Sequence, residues 1–334
     1  MSEMRFNPIT LDWVIMSPDR ALKPDDFRKA EPVRQPRPPH RDTCPFCTGN
    51  EHMSPGEICR AVNADGSWAV RVVPNKYSVF SAVEKMRHKQ EGIFRSMVAA
   101  GAHEVVVEHP RHDLSLADMD EAHLGKILRI YRERYQALRQ NPSVEIIVIF
   151  KNHGERAGTS LEHEHSQITA APVISSQVCM RLQEARRFHE LNGSCLCCQV
   201  MQEEMAAGER IIEAGSSFVA FVPYASLSPY HVWIFPRQHA SSYDEISDAD
   251  IVELSGVLSR QLRRIALAAG DPDYNFTIRS APVGESSSRC FHWYLAIVPR
   301  VNQLAGFELG SGSYINSMHP ERAAGLLRSV VLEH

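Results

Sequence analysis

The stretch GTSLEHEHSQITAAP, residues 158–172, sets His163, His165 and Gln167 at every second position ahead of a small, β-prone segment. Alternate side chains of a strand share one face. A strand here therefore gathers two imidazoles and an amide within reach of one ligand. A strand with a simply solvated face is the plainer reading, but three aligned polar side chains favour a site.

Working outward, NHGERAG (152–158) is a loop, and VEIIVIFKN (144–152) is a buried strand by its β-branched run. Before it, residues 115–140 carry helical periodicity, with Leu124, Ile127, Leu128, Tyr131, Tyr135 and Leu138 on one side and Asn141-Pro142 as the stop. WAVRVVP and HEVVVEHP are short strands further upstream, and EPVRQPRPPHRD is a loop. The second half repeats the order. A helix ends near Asn192-Gly193, then CLCC, SFVAFVP and YHVWIFP follow, then a helix over 248–270 and the strands YNFTIRSAP and CFHWYLAIVPR. VVVEHPRHDLSLADMDEAHL and VWIFPRQHASSYDEISDADIV share a strand, a Pro-Arg, a histidine and an acidic helix start. This is an internal duplication of about 150 residues, visible in order more than identity. It predicts an α+β fold of two halves, 1–172 and 173–334, each an antiparallel sheet with a long helix.

The 334 residues suffice for a large core, and the net charge of −4 gives no general attraction to nucleic acid or anionic membrane. No run approaches the roughly 20 apolar residues of a membrane helix, and MSEMRFNPIT lacks signal-peptide regions. A cytoplasmic protein is expected. Stable disulfides are disfavoured there, so the eight cysteines need another account. Cys44 and Cys47 form one C-x-x-C in a turn-rich setting; Cys195 and Cys198 form another, with Cys197 as a competing thiol. Neither follows a strand and opens a helix as a thioredoxin-type redox pair does. Each suits half of a tetrahedral zinc site. His112 and His163 could complete the first set, with His109 a rival, and His239 and His292 the second; N/S donors select Zn²⁺ over hard cations. Cys59, Cys179 and Cys290 are expected to be small buried hydrophobes, and His103, His123, His153, His189 and His231 ordinary polar residues.

HEHSQ resembles the H-x-H-x-Q signature of the galactose-1-phosphate uridylyltransferase branch of the histidine-triad superfamily. The resemblance covers nearly the whole chain: NPITLDWVIMSPDRALKP, CPFCTGNE, VVPNKYSVF, FKNHGERAGTSLEHEHSQ and GFELGSGSYIN occur in family order. It implies a two-step transfer of a nucleoside monophosphate from a nucleotide sugar, through a covalent nucleotidyl-histidine, to a phosphate-bearing acceptor. It places the nucleophile at His165 and the first metal set at Cys44, Cys47, His112 and His163. Gln167, Ser160 and Asn152 match phosphate-contacting groups, and Asn75 matches a residue near base and ribose. Arg20 matches a substrate-phosphate arginine, with Lys23 where a second arginine is usual. Cys195, Cys198, His239 and His292 resemble a second structural zinc site of ADP-glucose phosphorylase relatives.

Neutral imidazole is a free nucleophile near pH 7, and Gln167 can donate to a phosphoryl oxygen without protonating the leaving group, which favours transfer over hydrolysis. Glu164 stands where proline is usual between the histidines, and strand alternation turns it away from the site. Gly306 and Phe307 stand where the best-known members hold hexose phosphate with a Lys-Phe pair. The second half lacks H-x-H-x-Q and reads as catalytically silent. The first expectation is a UDP-glucose:hexose-1-phosphate uridylyltransferase of galactose metabolism, acting as a homodimer. The alternatives are an ADP-glucose phosphorylase using inorganic phosphate, or a non-catalytic nucleotide- or zinc-binding protein.

Overall fold

The computed structural model describes residues 2–18, 36–81, 88–285, 288–302 and 305–332. Its body is a ten-stranded, wholly antiparallel sheet. The first half contributes β3 (Cys59–Val62), β4 (Trp68–Pro74), β7 (Ala102–Val107), β8 (Ile146–His153) and β9 (His165–Ala171). The second contributes β10 (Ile211–Ala214), β11 (Phe218–Phe221), β12 (Val232–Pro236), β13 (Tyr274–Arg279) and β14 (Tyr294–Pro299). The spatial order is β10-β11-β12-β14-β13-β8-β9-β7-β4-β3. Read from either edge, each half runs first, second, third, fifth, fourth strand. The duplication inferred from element order is thus present in the topology, and the α+β class is as expected. The halves join edge to edge, with β8 hydrogen-bonded to β13 from Ile149–Ile278 to His153–Tyr274.

Each half inserts one long helix after its third strand: α1 (Glu121–Leu138) and α4 (Asp248–Ala269). Asp120 and Ser247 cap them, accepting from the backbone N–H of His123 and Asp250. Leu124, Ile127, Leu128, Tyr131 and Tyr135 are buried as their spacing demands. They join Ile251, Leu254, Leu258 and the sheet residues Val106, Ile149, Ile168, Phe276 and Leu295 in one core. Each large aliphatic side chain buried there contributes about 1.5–3 kcal/mol. The two long helices thus cover one face of the sheet, and odd-numbered β9 residues project from the opposite face.

Helix α2 (Ser176–Asn192) ends at Gly193 as expected. The following α3 (Leu196–Ala207) is an addition to the sequence reading: Cys195 is its N-cap, so the second C-x-x-C does open a helix, although after a helix and not a strand. A separate sheet pairs β1 (Glu3–Phe6), β2 (Trp13–Met16) and β15 (Tyr314–Asn316). A hairpin of β5 (His88–Glu91) and β6 (Phe94–Met97), and helices α5 (Gly306–Ser311) and α6 (Pro320–Ser329), complete the described strands and α-helices.

Candidate active site and metal centres

Strand β9 begins at His165, so His163 lies two residues ahead of it, yet both rings sit against Phe46, at 6.0 and 5.4 Å between centroids. His163 is fully buried and turns Nδ1 towards Cys44 and Cys47 at 3.6 and 3.5 Å; Cys47 also lies 3.5 Å from His112 Nδ1. These separations match the roughly 3.6 Å edge of a tetrahedron whose ligands stand ~2.0–2.3 Å from a zinc ion. The donor set therefore fits a metal. Burial pushes the Cys47 thiol up to about 11 and holds His163 at about 4, so the imidazole is neutral, as a ligand must be. His163 Nε2 donates to the His109 carbonyl at 2.7 Å, which fixes its tautomer. His109 thus contributes its backbone, and its ring faces His123 instead.

The second half repeats this arrangement. Cys195, Cys198, His239 and His292 converge, their ligand atoms within 4.8 Å of one another as in the first cluster. Cys198 lies 3.4 Å from Nδ1 of both histidines. His292 Nε2 meets the Pro236 carbonyl at 2.9 Å, the counterpart of His163 and His109. Cys197 is outside the cluster. Cys59, Cys179 and Cys290 are half-buried, less enclosed than expected.

His165 Nδ1 lies 2.8 Å from the His163 carbonyl. Nδ1 is therefore the protonated nitrogen, and Nε2 keeps its lone pair. Burial lowers the pKa of the ring, partly opposed by that hydrogen bond, so the neutral form dominates. Gln167 shares the face of His165. Its Oε1 accepts from His103 Nε2 at 2.7 Å and lies 3.4 Å from Asn75 Nδ2. The Val79 N–H at 3.5 Å from His103 Nδ1 assigns the proton to Nε2, and the Tyr77 N–H on Asn75 Oδ1 orients that amide. With its oxygen occupied, Gln167 has its NH₂ left as a donor.

Asn152 is set in the same way. The register Lys151–Ser166 and Phe150–Gln167 brings it opposite His165. Its Oδ1 accepts from Asn275 Nδ2 at 2.7 Å, which leaves its NH₂ free to donate. Asn275 in turn donates to the Ala157 carbonyl and accepts from Arg300. The loop after Asn152 turns at Gly154, φ +85°, where a Cβ would stand 1.8 Å from the Asp273 carboxylate. That carboxylate accepts from the Arg156 N–H. Only glycine fits there.

Behind the strand, Glu164 is buried away from the site, as alternation requires. Lys151 directs its three donors to Glu108 at 2.5 Å, to Glu164, and to the His165 carbonyl at 3.2 Å. His153 Nδ1 stands 2.8 Å from Glu164, an ion-pair distance without the alignment of a hydrogen bond. Burial opposes charge on Glu164, but Lys151 and His153 outweigh it and hold the carboxylate well below its usual range. Burial raises Glu108. The Lys151 ammonium and the Glu164 carboxylate pair directly under the His165 backbone.

Not every expected residue converges. Ser160 is exposed in the loop before His163 and has no hydrogen bond to His165 or Gln167. Phe307 is 47% exposed on α5, beside β15. Arg20 and Lys23 lie outside the described residues. Sequence reasoning missed Asn275 and Arg300, and treated His103 and His153 as ordinary polar residues.

The family model described as galactose-1-phosphate uridyl transferase, N-terminal domain, matches residues 1–175. A domain of unknown function (DUF4921) matches residues 99–332. An ADP-glucose phosphorylase of Arabidopsis thaliana is 37% identical over 335 residues, 99% of this chain and 93% of its own. A galactose-1-phosphate uridylyltransferase of Thermotoga maritima is 29% identical over 342 residues, covering 100% of each. The crystal structure of an Arabidopsis thaliana ADP-glucose phosphorylase with bound ADP-glucose superposes with a TM-score of 0.84 at 34% identity, covering 100% of each chain. The chain belongs to the galactose-1-phosphate uridyl transferase family of nucleotidyltransferases.

Proposed function

We propose that this enzyme transfers a nucleoside monophosphate from a nucleotide sugar to a phosphate-bearing acceptor through His165. The observation that carries the reading is the His165 Nδ1 contact with the His163 carbonyl, which leaves Nε2 as an unprotonated nucleophile between two amide donors. In the first step Nε2 attacks the α-phosphorus, a P–N bond forms, and the P–O bond to the sugar 1-phosphate breaks. The leaving group departs as a phosphate and needs no acid. The ring becomes cationic, its Nδ1 proton held on the His163 carbonyl. The NH₂ groups of Gln167 and Asn152 are placed to meet charge on the phosphoryl oxygens. In the second step an acceptor phosphate oxygen attacks the same phosphorus and the P–N bond breaks.

For base and acceptor we favour ADP-glucose and inorganic phosphate, giving ADP and glucose 1-phosphate. The 37% identity along the full chain to an ADP-glucose phosphorylase supports this reading, as does Gly306 in place of a hexose-phosphate lysine. The uridylyltransferase reading keeps the support of the N-terminal family match and the Thermotoga relative. In either case the first cluster would hold Zn²⁺. That ion would tie the Cys44–Cys47 loop to His163 and so fix the carbonyl that orients His165. A cytoplasmic homodimer remains part of the reading.

The deciding experiment is intact mass after brief exposure to ADP-glucose or UDP-glucose, with His165→Asn as control. An AMP adduct on wild type alone, discharged by inorganic phosphate to ADP, is the expected result. A UMP adduct discharged by galactose 1-phosphate would move the assignment to the uridylyltransferase. An adduct that persists in His165→Asn would overturn the nucleophile.

A further inference from the structure

The mirrored strand order makes β13 to β14 what β8 is to β9. Arg279 pairs with Tyr294 across that ladder, as Asn152 stands opposite His165, and His292 precedes Tyr294 by two residues, as His163 precedes His165. Arg279 and Tyr294 thus occupy the places of the phosphate-facing amide and the nucleophile in the second half. The space above them is open: a cavity of about 190 Å³ lies there, lined by Arg181, Arg279, Thr277, Tyr294, Phe291 and Val148.

Its walls are otherwise largely apolar, yet two guanidiniums face it. The Arg279 guanidinium has no hydrogen-bond or ion-pair partner among the described residues. Arg181 donates to the Thr10 carbonyl at 3.2 Å, and its nearest carboxylate oxygen is on Asp12 at 3.8 Å. Burial, and then the like charge of Arg279, hold the Arg181 guanidinium below its ordinary pKa. Two cations in an apolar recess, with one carboxylate 3.8 Å from Arg181 and none within ion-pair distance of Arg279 among the described residues, are under-compensated. A planar fork of donors on each is matched by an oxyanion. Nothing here repeats the chemistry of the first half, because Tyr294 and Ala296 stand where His165 and Gln167 would.

We propose that this second-half recess is a binding site, without turnover, for a phosphate monoester carried on a compact, largely apolar body. The volume is below the roughly 300–1,000 Å³ of sites for larger ligands, so the ligand is smaller than a nucleotide sugar. The recess is separate from the His165 site, although Ile146 and Val148 on its wall belong to the same strand as Asn152.

The test is calorimetric titration of the full-length, metal-loaded protein with phenyl phosphate, in the presence of saturating ADP-glucose or UDP-glucose. Binding at one equivalent is expected, weakened tenfold or more in Arg279→Gln and in Arg181→Gln. Thr277→Phe, which keeps both arginines but fills the recess, should also abolish it, and neutral benzyl alcohol should not bind. Nucleotidyl-adduct formation at His165 in Arg279→Gln should stay at its wild-type value and its thermal midpoint should not fall, which separates this site from the proposed catalytic one. No binding at millimolar concentration, displacement by the nucleotide sugar, or unchanged affinity in both arginine variants overturns the proposal.

Discussion

His103 Nε2 stands 2.7 Å from Gln167 Oε1, across the β7–β9 ladder, and it decides which end of the Gln167 amide meets the substrate. Loss of that hydrogen bond lets the amide rotate. His103→Ala should lower kcat by about 10- to 100-fold with little change in KM, because the donor serves charge that develops in the transition state. His103→Asn, which can still donate, should recover part of the loss. In a double-mutant cycle with Gln167→Ala the two losses should not add. Additive losses would show that His103 acts elsewhere.

The two metal clusters should separate in their effects. Elemental analysis is expected to give two zinc ions per chain. Cys47→Ala should lose one ion and with it the His165 adduct, since the His163 carbonyl is no longer fixed. Cys198→Ala should lose the other ion, keep the adduct, and melt about 5–10 °C lower. A Cys198→Ala protein without adduct would refute a purely structural second centre.

Lys151 neutralises Glu164 at 0% and 4% side-chain exposure. Lys151→Met leaves Glu164 and Glu108 buried without their cation and should cost about 3–5 kcal/mol in denaturant unfolding. Lys151→Met combined with Glu164→Gln and Glu108→Gln should recover much of this.

His231 is buried, and burial followed by the charge of Arg279 holds its pKa at about 3, against an ordinary 6.5. The folded state therefore keeps it neutral while the unfolded chain takes up a proton. Stability from this group is complete above pH 6.5 and falls as pH drops from 6.5 towards 3. The slope is up to about 1.4 kcal/mol per pH unit. Chemical denaturation between pH 6.5 and 4.5 should show a shallower slope, by that amount, in His231→Gln. Equal slopes would mean that the ring is protonated in the fold.

Much of the site could be read from sequence because its residues sit at diagnostic spacings: H-x-H-x-Q at alternate positions, and a C-x-x-C at the same place in each half. The duplication was legible in element order, since each half must rebuild the same core. His103 was not, because it lies far upstream of Gln167 and belongs to no motif. Its signal was available in the alternation Val107, Val105, His103, which puts it on the Gln167 face once β7 and β9 pair. Helix α3 was hidden because LCCQVMQEEMAA reads first as a metal loop, and Cys195 makes no side-chain cap. Asn275 and Arg300 were missed for a further reason. Asn275 reaches Asn152, with Arg300 behind it, only because β13 lies beside β8, and no local pattern encodes the choice of neighbour between two buried strands.

That seam also limits how the gene could be divided. A fragment ending near residue 172 would carry the histidine motif, but it would leave β8 as an open edge with its outward main-chain groups unpaired. Such an edge recruits whatever strand is at hand. Isolated amino-terminal fragments are therefore expected to self-associate or precipitate, whereas co-expression with the carboxy-terminal fragment should restore solubility by supplying β13 in trans.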